Sequence, residues 1–394
     1  MDDNNDNLYS KLGVSHKKED VHKAVEGLEK GLLPGAFNKI SPDICSRKDY
    51  CSIFHADGAG TKAGLAYMYY KETGDINVFK GIVQDAVVMN IDDILCSGAT
   101  GPFFISNTIG RNGKLISGDI ISILINEYSR FCNFLTSLGF RTIMSGGETA
   151  DIGDLVKTLV VDANVFTTMK IADVIDTNDI SKKDVIIGLA SFGKCQYEEK
   201  YNSGIGSNGL TLARHGTLSH TYYDKYPECY DDNQEEDMVF FGKHSLKEKI
   251  PELNLTIGEA LLSPTRTYAP LILDILDKYH DKIHGIIHNT GGGQSKVLNF
   301  GKGMKYVKNS LFDLPPIFKI IKESSKTSWE EMYQVFNMGH RMELYCSETI
   351  ADDIINIAKK YGIYAKIIGF CEQSPNKNKN VLEIHSEFGD YTYT

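Results

Sequence analysis

The sequence predicts an α+β fold with two domains, an N-terminal β-rich domain over residues 1–172 and a C-terminal α/β domain over residues 173–394. Three observations support this prediction. A chain of 394 residues is longer than one ordinary hydrophobic core supports. Strand-like apolar runs alternate with helical runs along both halves, and a polar, acidic stretch at 171–184 separates them.

Composition excludes several functional classes. The formal net charge is −10, so the chain offers no basic face for nucleic acid. The eight cysteines lack Cys-x-x-Cys spacing, which disfavours a zinc site or a disulfide scaffold. No apolar run approaches membrane-spanning length, and the acidic N-terminus has no targeting features. We therefore expect a cytoplasmic protein that binds neither nucleic acid nor membrane.

The glycine-rich stretch Ala56–Lys62 is the first candidate site. It follows a predicted strand over 50–55, which would place Asp57 at the strand end and two glycines in the turn after it. Asp57 could hold Mg²⁺, and Lys62 could neutralise phosphate oxygen. Because Thr61 precedes the lysine, the stretch is not a Walker A loop. The alternative is a plain glycine turn closed by a surface lysine.

A helix predicted over 81–97 is the second candidate, since it is strongly apolar yet carries three aspartates. At 100° per residue, Asp92 falls within about 20° of Asp85, whereas Asp93 lies roughly 80° away. An ideal helix therefore puts Asp85 and Asp92 on one face. The alternative role for these acids is a cap or salt bridge, because buried aspartate is rarely left unpaired.

The other predicted elements of the first half are also a mixture of helices and strands. The pattern predicts helices over 21–33, 65–71 and 117–138 and strands over 102–109, 140–144 and 156–169. The strand over 140–144 runs into Ser145–Ala150, which again delivers glycines, an acid and a hydroxyl to a strand end. Ligands gather at such ends.

In the second half, the pattern predicts strands over 185–192, 283–288, 342–346 and 364–370, helices over 209–215 and 350–361, a helix ending at Tyr279 and another entered at Ser328.

Gly204–Gly209 matches G-x-G-x-x-G but lacks the directly preceding strand of a dinucleotide site. We expect 216–254 to be a surface insertion. Thr290–Gly293, before a predicted helix, is either an anion-binding turn or a flexible one.

Collected together, these motifs resemble the aminoimidazole ribonucleotide synthetase family, also called phosphoribosylformylglycinamidine cyclo-ligases. The family patterns occur in order at Asp57–Lys62 (D-G-x-G-T-K), Ile82–Asp93 (the aspartate-bearing helix), Gly146–Ala150 (G-G-E-T-A), Ser207–Gly209 (S-N-G), Leu262–Tyr268 (L-x-P-T-R-x-Y), Thr290–Gly293 (T-G-G-G) and Met332–Gly339 (M-Y-x-x-F-N-x-G). The resemblance covers most of the chain.

The resemblance implies an N-terminal domain that dimerises through its strands into a shared β-barrel, packed against a C-terminal α/β domain. It implies a homodimer with ATP and Mg²⁺ as cofactors and a small phosphorylated substrate. ATP would activate an amide oxygen of formylglycinamidine ribonucleotide, and the internal amine would then close the imidazole ring, a step of purine biosynthesis. Such catalysis depends mostly on positioning and charge neutralisation.

The resemblance also assigns roles to residues. The metal ligands would be Asp57, Asp85 and Asp93. The nucleotide would contact Gly58, Gly60, Thr61, Lys62, Asp85 and Asp93. The residues at the reacting centre would be Asp57, Lys62, Glu148 and Thr149. The substrate would contact Ser207, Asn208, Thr290, Gly291 and Gly292. Helix arithmetic favours Asp92 for the metal, while the resemblance favours Asp93 on the premise that the helix end unwinds locally.

The chain departs from the family pattern at 151–154, at Gly206, where histidine is frequent, and at His340–Arg341, where smaller residues are usual. These departures concern substrate contacts more than ATP contacts. Two alternatives remain. One is another enzyme of the superfamily, such as thiamine-monophosphate kinase, selenophosphate synthetase or the hydrogenase-maturation dehydratase. The other is a catalytically silent nucleotide-binding homologue, which we would expect to lack the acids or the lysine.

Overall fold

The computed structural model describes residues 7–15 and 19–394. Its helices are α1 (Leu8–Lys11), α2 (Glu19–Val25), α3 (Lys62–Thr73), α4 (Val78–Leu95), α5 (Gly118–Ser137), α6 (Leu210–Thr217), α7 (Tyr222–Lys225), α8 (Ile257–Leu261), α9 (Ala269–Tyr279), α10 (Pro316–Ser325), α11 (Trp329–Val335) and α12 (Ala351–Lys360). Its strands are β1 (Ser41–Pro42), β2 (Tyr50–Gly58), β3 (Phe103–Arg111), β4 (Thr142–Asp151), β5 (Leu159–Lys170), β6 (Asp184–Ala190), β7 (Lys249–Ile250), β8 (Leu255–Thr256), β9 (Ile283–His288), β10 (Met304–Lys308), β11 (His340–Ser347), β12 (Ala365–Gln373), β13 (Val381–Ser386) and β14 (Gly389–Tyr393).

The first sheet has the strand order β1-β2-β5-β3-β4, in which only β3 and β4 run parallel. Helices α4 and α5 cover one face. Helix α5 is amphipathic and turns Leu124, Phe131 and Leu135 inward, whereas α4 is buried on nearly every side. A helix that is apolar all round belongs in the interior of a protein. Helix α4 therefore forms the centre of the molecule.

The second sheet has the strand order β14-β13-β10-β12-β6-β11-β9. Strand β6 lies in its middle, antiparallel to both neighbours, and every one of its residues is buried. A continuous apolar run rich in β-branched residues is what a strand covered on both faces requires. Helix α12 packs on this sheet. Helix α4 of the first half contacts α9 and β9 of the second half, and these contacts join the two halves.

The predicted α+β class with two sheet-containing halves is confirmed. The first sheet ends at Lys170 and the second begins at Asp184, while the boundary at 172 stays a prediction. Within the described ranges, no helix combines the length and apolar character that crossing a bilayer requires.

Three predicted boundaries in the first half are wrong. The helix expected over 21–33 ends at Val25, and Gly27 follows with a φ of 87°, which a helix does not tolerate. Strand β2 runs on through Gly58, so Asp57 lies inside the strand and not in a turn. Strand β4 continues through Asp151, so the G-G-E-T-A stretch is extended edge strand and not a loop.

The prediction that 216–254 is a surface excursion is also wrong. The segment buries eight apolar side chains, namely Leu218, Tyr222, Tyr226, Cys229, Val239, Phe240, Leu246 and Ile250. It is anchored to the first half by Lys157, whose Nζ donates to the carbonyls of Pro227 and Tyr230. Alternating aromatic and polar residues concealed this burial, because the segment has no helical or strand period to reveal an inward face.

Candidate functional site

Helix α4 carries the acids of the candidate site and separates them onto two sides. Thr265 donates to Asp85 Oδ1 from its backbone N at 2.7 Å, and Thr267 Oγ1 donates to Asp92 Oδ1 at 2.9 Å. Asp93 points elsewhere, toward β2 and β9. The helix arithmetic that paired Asp85 with Asp92 is therefore confirmed. No local unwinding is needed for Asp93 to reach the other side, because α4 is helical to its end.

The first group of charges, the Lys62 cluster, consists of Lys62, Asp85, Ser207 and Thr265. Lys62 Nζ donates to Asp85 Oδ1 at 2.9 Å, to Gly206 O at 3.0 Å and to Ser263 O at 2.7 Å. Both ionic side chains are fully buried. Burial lowers the pKa of Lys62, and the charge of Asp85 opposes that shift.

The hydrogen bonds of the Lys62 cluster bear on the predicted role of Lys62 at the transferring phosphoryl group. An ammonium group has three N–H donors, and Lys62 gives all three to protein acceptors. In this arrangement the residue has no donor for a transferring phosphoryl group. Its role here is to join the first half of the chain to two loops of the second.

Ser207 and Asn208, two of the predicted substrate residues, border the Lys62 cluster. Ser207 Oγ lies 2.9 Å from Thr265 Oγ1. Within the described part of the chain, Asn208 Oδ1 and Asp85 Oδ2 are buried without a hydrogen-bond partner. Each of these two oxygens can still accept a hydrogen bond, which a ligand or a bound water could donate.

The second group, the Asp93 cluster, consists of His55, Asp57, Asp93, His288 and Lys296. His288 Nδ1 lies 2.6 Å from Asp93 Oδ1, and His55 Nε2 lies 3.3 Å from Asp93 Oδ2. Burial alone would raise the pKa of Asp93, but Lys296 and the two histidines lower it far below its usual value. Asp93 is therefore a carboxylate at any pH near neutrality.

Asp57 belongs to the same cluster, but its charged form is less well stabilised than that of Asp93. Burial raises its pKa, the charge of Asp93 raises it further, and the Gly58 N–H donates to Asp57 Oδ1 at 2.7 Å. Asp162, across from Gly58 on β5, has a pKa raised by burial and by Asp57. A Cβ at Gly58 would lie 1.7 Å from Asp162 Oδ1, so this approach requires glycine. Carboxylates that raise one another's pKa attract a cation.

The predicted metal trio is not assembled. In the ranges 7–15 and 19–394, no group of three or more His, Cys, Asp or Glu side chains is arranged to hold a metal ion. Asp85 belongs to the Lys62 cluster, and its Oδ1 is occupied by Lys62 and Thr265. Asp57 and Asp93 remain, and they fit Mg²⁺, which takes one or two carboxylates and keeps waters and substrate phosphates as its other ligands.

The turn after β9 borders the Asp93 cluster. Lys296 Nζ donates to Thr290 Oγ1, and the Thr290 N–H donates to His288 O at 2.9 Å. Gly292 has a φ of 93° and precedes a short 3₁₀ helix, Gly291 is half-buried and Gly292 is buried, and Lys296 lies in that 3₁₀ helix. The anion-binding interpretation of this turn thus gains a cation that the motif itself lacks.

The remaining nucleotide residues lie at the start of α3. Gly60 has a φ of 54°, and Gly60 and Thr61 are exposed. Thr61 Oγ1 lies 3.2 Å from Thr211 Oγ1 on α6. Only Gly58 of this group is part of a strand, where it makes space for Asp162.

Glu148 and Thr149 do not join the other predicted catalytic residues. Asp57 and Gly147 lie in one cross-strand row, three strand spacings apart, which is about 14 Å. Glu148 pairs with Thr108, so it points to the outer face of the sheet with Phe104, whereas Asp57 points to α4. Within one chain, the sheet separates Glu148 from Asp57.

The sequence patterns missed four residues of the site, namely His55, His288, Lys296 and Arg341. His55 lies two residues before Asp57, and His288 lies two residues before Thr290. Both histidines occupy inward positions of their strands, and this spacing is the signal that could have identified them. Lys296 follows the glycine turn by one helical turn. Arg341 was noted only as a departure, and it contacts both His288 and Asp92.

Two family models match the chain. The model for the N-terminal domain of AIR synthase related protein matches residues 42–169, and the model for its C-terminal domain matches residues 182–378. A phosphoribosylformylglycinamidine cyclo-ligase of Desulfotalea psychrophila is 31% identical over 397 residues, covering 96% of this chain and 97% of the relative. One of Pseudothermotoga lettingae is 33% identical over 320 residues, covering 80% and 79%.

Two solved structures resemble the fold. Thiamine monophosphate kinase from Aquifex aeolicus has a TM-score of 0.54 at 10% identity and covers 97% of this chain and 98% of its own. T. maritima PurL complexed with FGAR has a TM-score of 0.53 at 13% identity and covers 96% of this chain and 49% of its own. At these identities the likeness concerns the fold alone.

Proposed function

The chain belongs to the AIR synthase related family, and from this premise we propose that it closes the imidazole ring of aminoimidazole ribonucleotide. The reaction consumes formylglycinamidine ribonucleotide and ATP and releases ADP and phosphate, as a step of purine biosynthesis. The observation that carries the proposal is the match to cyclo-ligases along nearly the full length of both chains. The acids and the lysine that a silent homologue would lack are all present.

We place the ATP phosphates at the Asp93 cluster. Asp57 and Asp93 would hold Mg²⁺, which neutralises charge on the transferring phosphoryl group. Lys296 and the turn Thr290–Gly292 would bind phosphate oxygens through an ammonium and backbone N–H groups. The raised pKa of Asp57 supports this placement, because its charge calls for a cation. The Lys62 cluster would fix the loop that presents Ser207 and Asn208 to the substrate.

We also propose a cytoplasmic homodimer, with a domain boundary at 172. The outer face of the first sheet carries Phe54, Phe104 and Phe166 side by side, and Phe54 is 68% exposed. An apolar patch on a sheet with an open edge strand favours pairing with a second copy. Glu148 lies on that same face, so a partner chain would bring it into a shared active site.

The experiment is to follow ADP release and product formation together. The purified chain with ATP and Mg²⁺ should release ADP only when formylglycinamidine ribonucleotide is added, with one aminoimidazole product per ADP. ADP release that depends on thiamine phosphate, or that needs no second substrate, would contradict the proposal. Absence of any turnover would favour the silent homologue.

A further inference from the structure

Arg341 is buried between the Lys62 cluster and the Asp93 cluster, at 1% exposure. Its Nε donates to His288 Nε2 at 2.8 Å. Its Nη2 donates to the carbonyl of Arg266 and lies 3.3 Å from Asp92 Oδ2. The guanidinium carbon lies 5.1 Å from the ring centroid of Tyr268. A single side chain therefore touches one carboxylate of α4 directly and approaches a second through a histidine.

The contact with His288 defines which nitrogen of that ring carries the proton. An arginine Nε–H only donates, so His288 Nε2 must present its lone pair. The proton of the neutral ring then sits on Nδ1, 2.6 Å from Asp93 Oδ1. His288 is thereby held from both sides, and its Nδ1–H has one acceptor only.

Arg341 packs against a glycine whose backbone is left-handed. A Cβ at Gly206 would lie 3.5 Å from Arg341 Cδ, and Gly206 has a φ of 71°. A larger side chain at this position would meet the stem of the arginine. The left-handed backbone at 206 therefore favours glycine, and Arg341 lies within contact distance of that position.

We propose that Arg341 is a positioning residue, which orients His288 so that its Nδ1–H holds the Asp93 carboxylate beside Asp57. This inference rests on the proposed nucleotide site at Asp93. Partners that orient a metal-bearing carboxylate typically change metal affinity or activity 10- to 100-fold when removed, so loss of Arg341 should weaken Mg²⁺ binding about tenfold.

The first measurement is a proton NMR spectrum of the full chain without Mg²⁺. A buried N–H donating to a carboxylate over 2.6 Å gives a strongly downfield, exchange-protected resonance, which His288→Gln must remove. Arg341→Met should abolish or broaden this resonance, because the ring loses its second anchor. Arg341→Lys keeps a charge near Asp92 but lacks the planar fork, so it should not restore the signal.

Two further variants separate positioning from folding. Asp92→Asn with Arg341→Met removes both charges, so a folded protein is expected even if the single variant is unstable. Arg214→Met removes another buried arginine, one whose guanidinium donates to the carbonyl of Cys229, away from His288. The control should keep the resonance.

The second measurement is the Mg²⁺ dependence of binding of a non-hydrolysable ATP analogue by calorimetry. The double variant should need about tenfold more Mg²⁺ than wild type, while Arg214→Met should not differ. If the double variant keeps both the resonance and the Mg²⁺ dependence, Arg341 is a structural residue and the inference is wrong. If wild type shows the resonance and binds the analogue but does not close the ring, the proposed reaction fails while this inference stands.

Discussion

The Lys62 cluster and the Asp93 cluster each take a carboxylate from helix α4, yet the negative charge in the two clusters is balanced to different degrees. The charge of Asp85 is matched by one buried lysine and its Oδ1 accepts from Thr265, while its Oδ2 has no hydrogen-bond partner among the described residues. Asp93 is surrounded by donors, but its neighbour Asp57 has a raised pKa, because burial and the charge of Asp93 outweigh the opposing charges of His55 and Lys296. The comparison shows that an acidic motif becomes a binding site where its charge remains unbalanced. Where the charge is already paired, the motif instead links two parts of the fold, and we call it a structural joint.

The largest expected effect concerns the segment 216–254, which packs against α3, the helix that begins at Lys62. Replacing 216–254 by a short Gly/Ser linker exposes core that this segment covers, including the surface of α3 that Tyr226 and Cys229 contact through Glu72 and Gly64. Its eight buried apolar side chains contribute ~10 kcal/mol or more, comparable with the whole stability of a domain. We expect no folded protein by circular dichroism.

The matched control for that replacement changes only the run 231–237 to Gly/Ser, in which every residue except the half-buried Gln234 is exposed, and it should leave the thermal transition nearly unchanged. A cooperative transition for the full replacement at the wild-type temperature would show that the segment is dispensable.

A second prediction breaks the Lys62 cluster itself. Lys62→Met leaves the Asp85 carboxylate buried without its cation, which should lower the free energy of unfolding by about 3–5 kcal/mol. Adding Asp85→Asn should recover part of the loss, because the unpaired charge is removed. Urea denaturation of the two variants measures this difference. A single variant as stable as wild type would mean that the pair is not the joint described here.

The Asp93 cluster should behave in the opposite way. Asp57→Asn keeps the shape but removes the charge that holds the metal, so turnover should fall at least 100-fold, roughly 3 kcal/mol of barrier. Stability should not fall, because the substitution relieves repulsion with Asp93 and Asp162. Paired measurements of ADP release and urea midpoint test this. Loss of stability with intact turnover would reverse the roles of the two clusters.

The smallest effect is a pH dependence. Burial and Asp93 raise the pKa of Asp57 above its unfolded value, so its contribution to stability is complete below about pH 3.9 and is lost as the pH rises through the folded pKa. Without Mg²⁺, wild type should therefore lose stability relative to Asp57→Asn between acid pH and neutrality. Mg²⁺ with an ATP analogue should reverse the trend, and parallel stability curves for the two proteins would contradict it.

Part of this comparison was predictable from the sequence. The two faces of α4 follow from the helical period alone, which is why Asp85 and Asp92 were paired correctly. The role of Lys62 was not predictable, because its acceptors Gly206 and Ser263 lie 144 and 201 residues away in sequence. Local pattern contains no information about such partners.

The secondary-structure elements likewise divide into those that the local sequence pattern identified and those that it did not. Strands rich in β-branched apolar residues, such as β6 and β9, were predicted closely. The G-G-E-T-A stretch was misassigned because glycines signal a turn locally, whereas pairing with β3 keeps it extended. Strands β10, β13 and β14 and helix α10 were not identified, since short or polar segments gain their structure from the sheet they join.

The most direct test of the account is a crystal structure of the chain with Mg²⁺ and a non-hydrolysable ATP analogue. We expect the metal on Asp57 and Asp93, phosphate oxygens near Lys296, and Lys62 still donating to Asp85. A metal bound to Asp85, or Lys62 turned from Asp85 to a phosphate, would contradict the division of the site into a binding cluster and a structural joint.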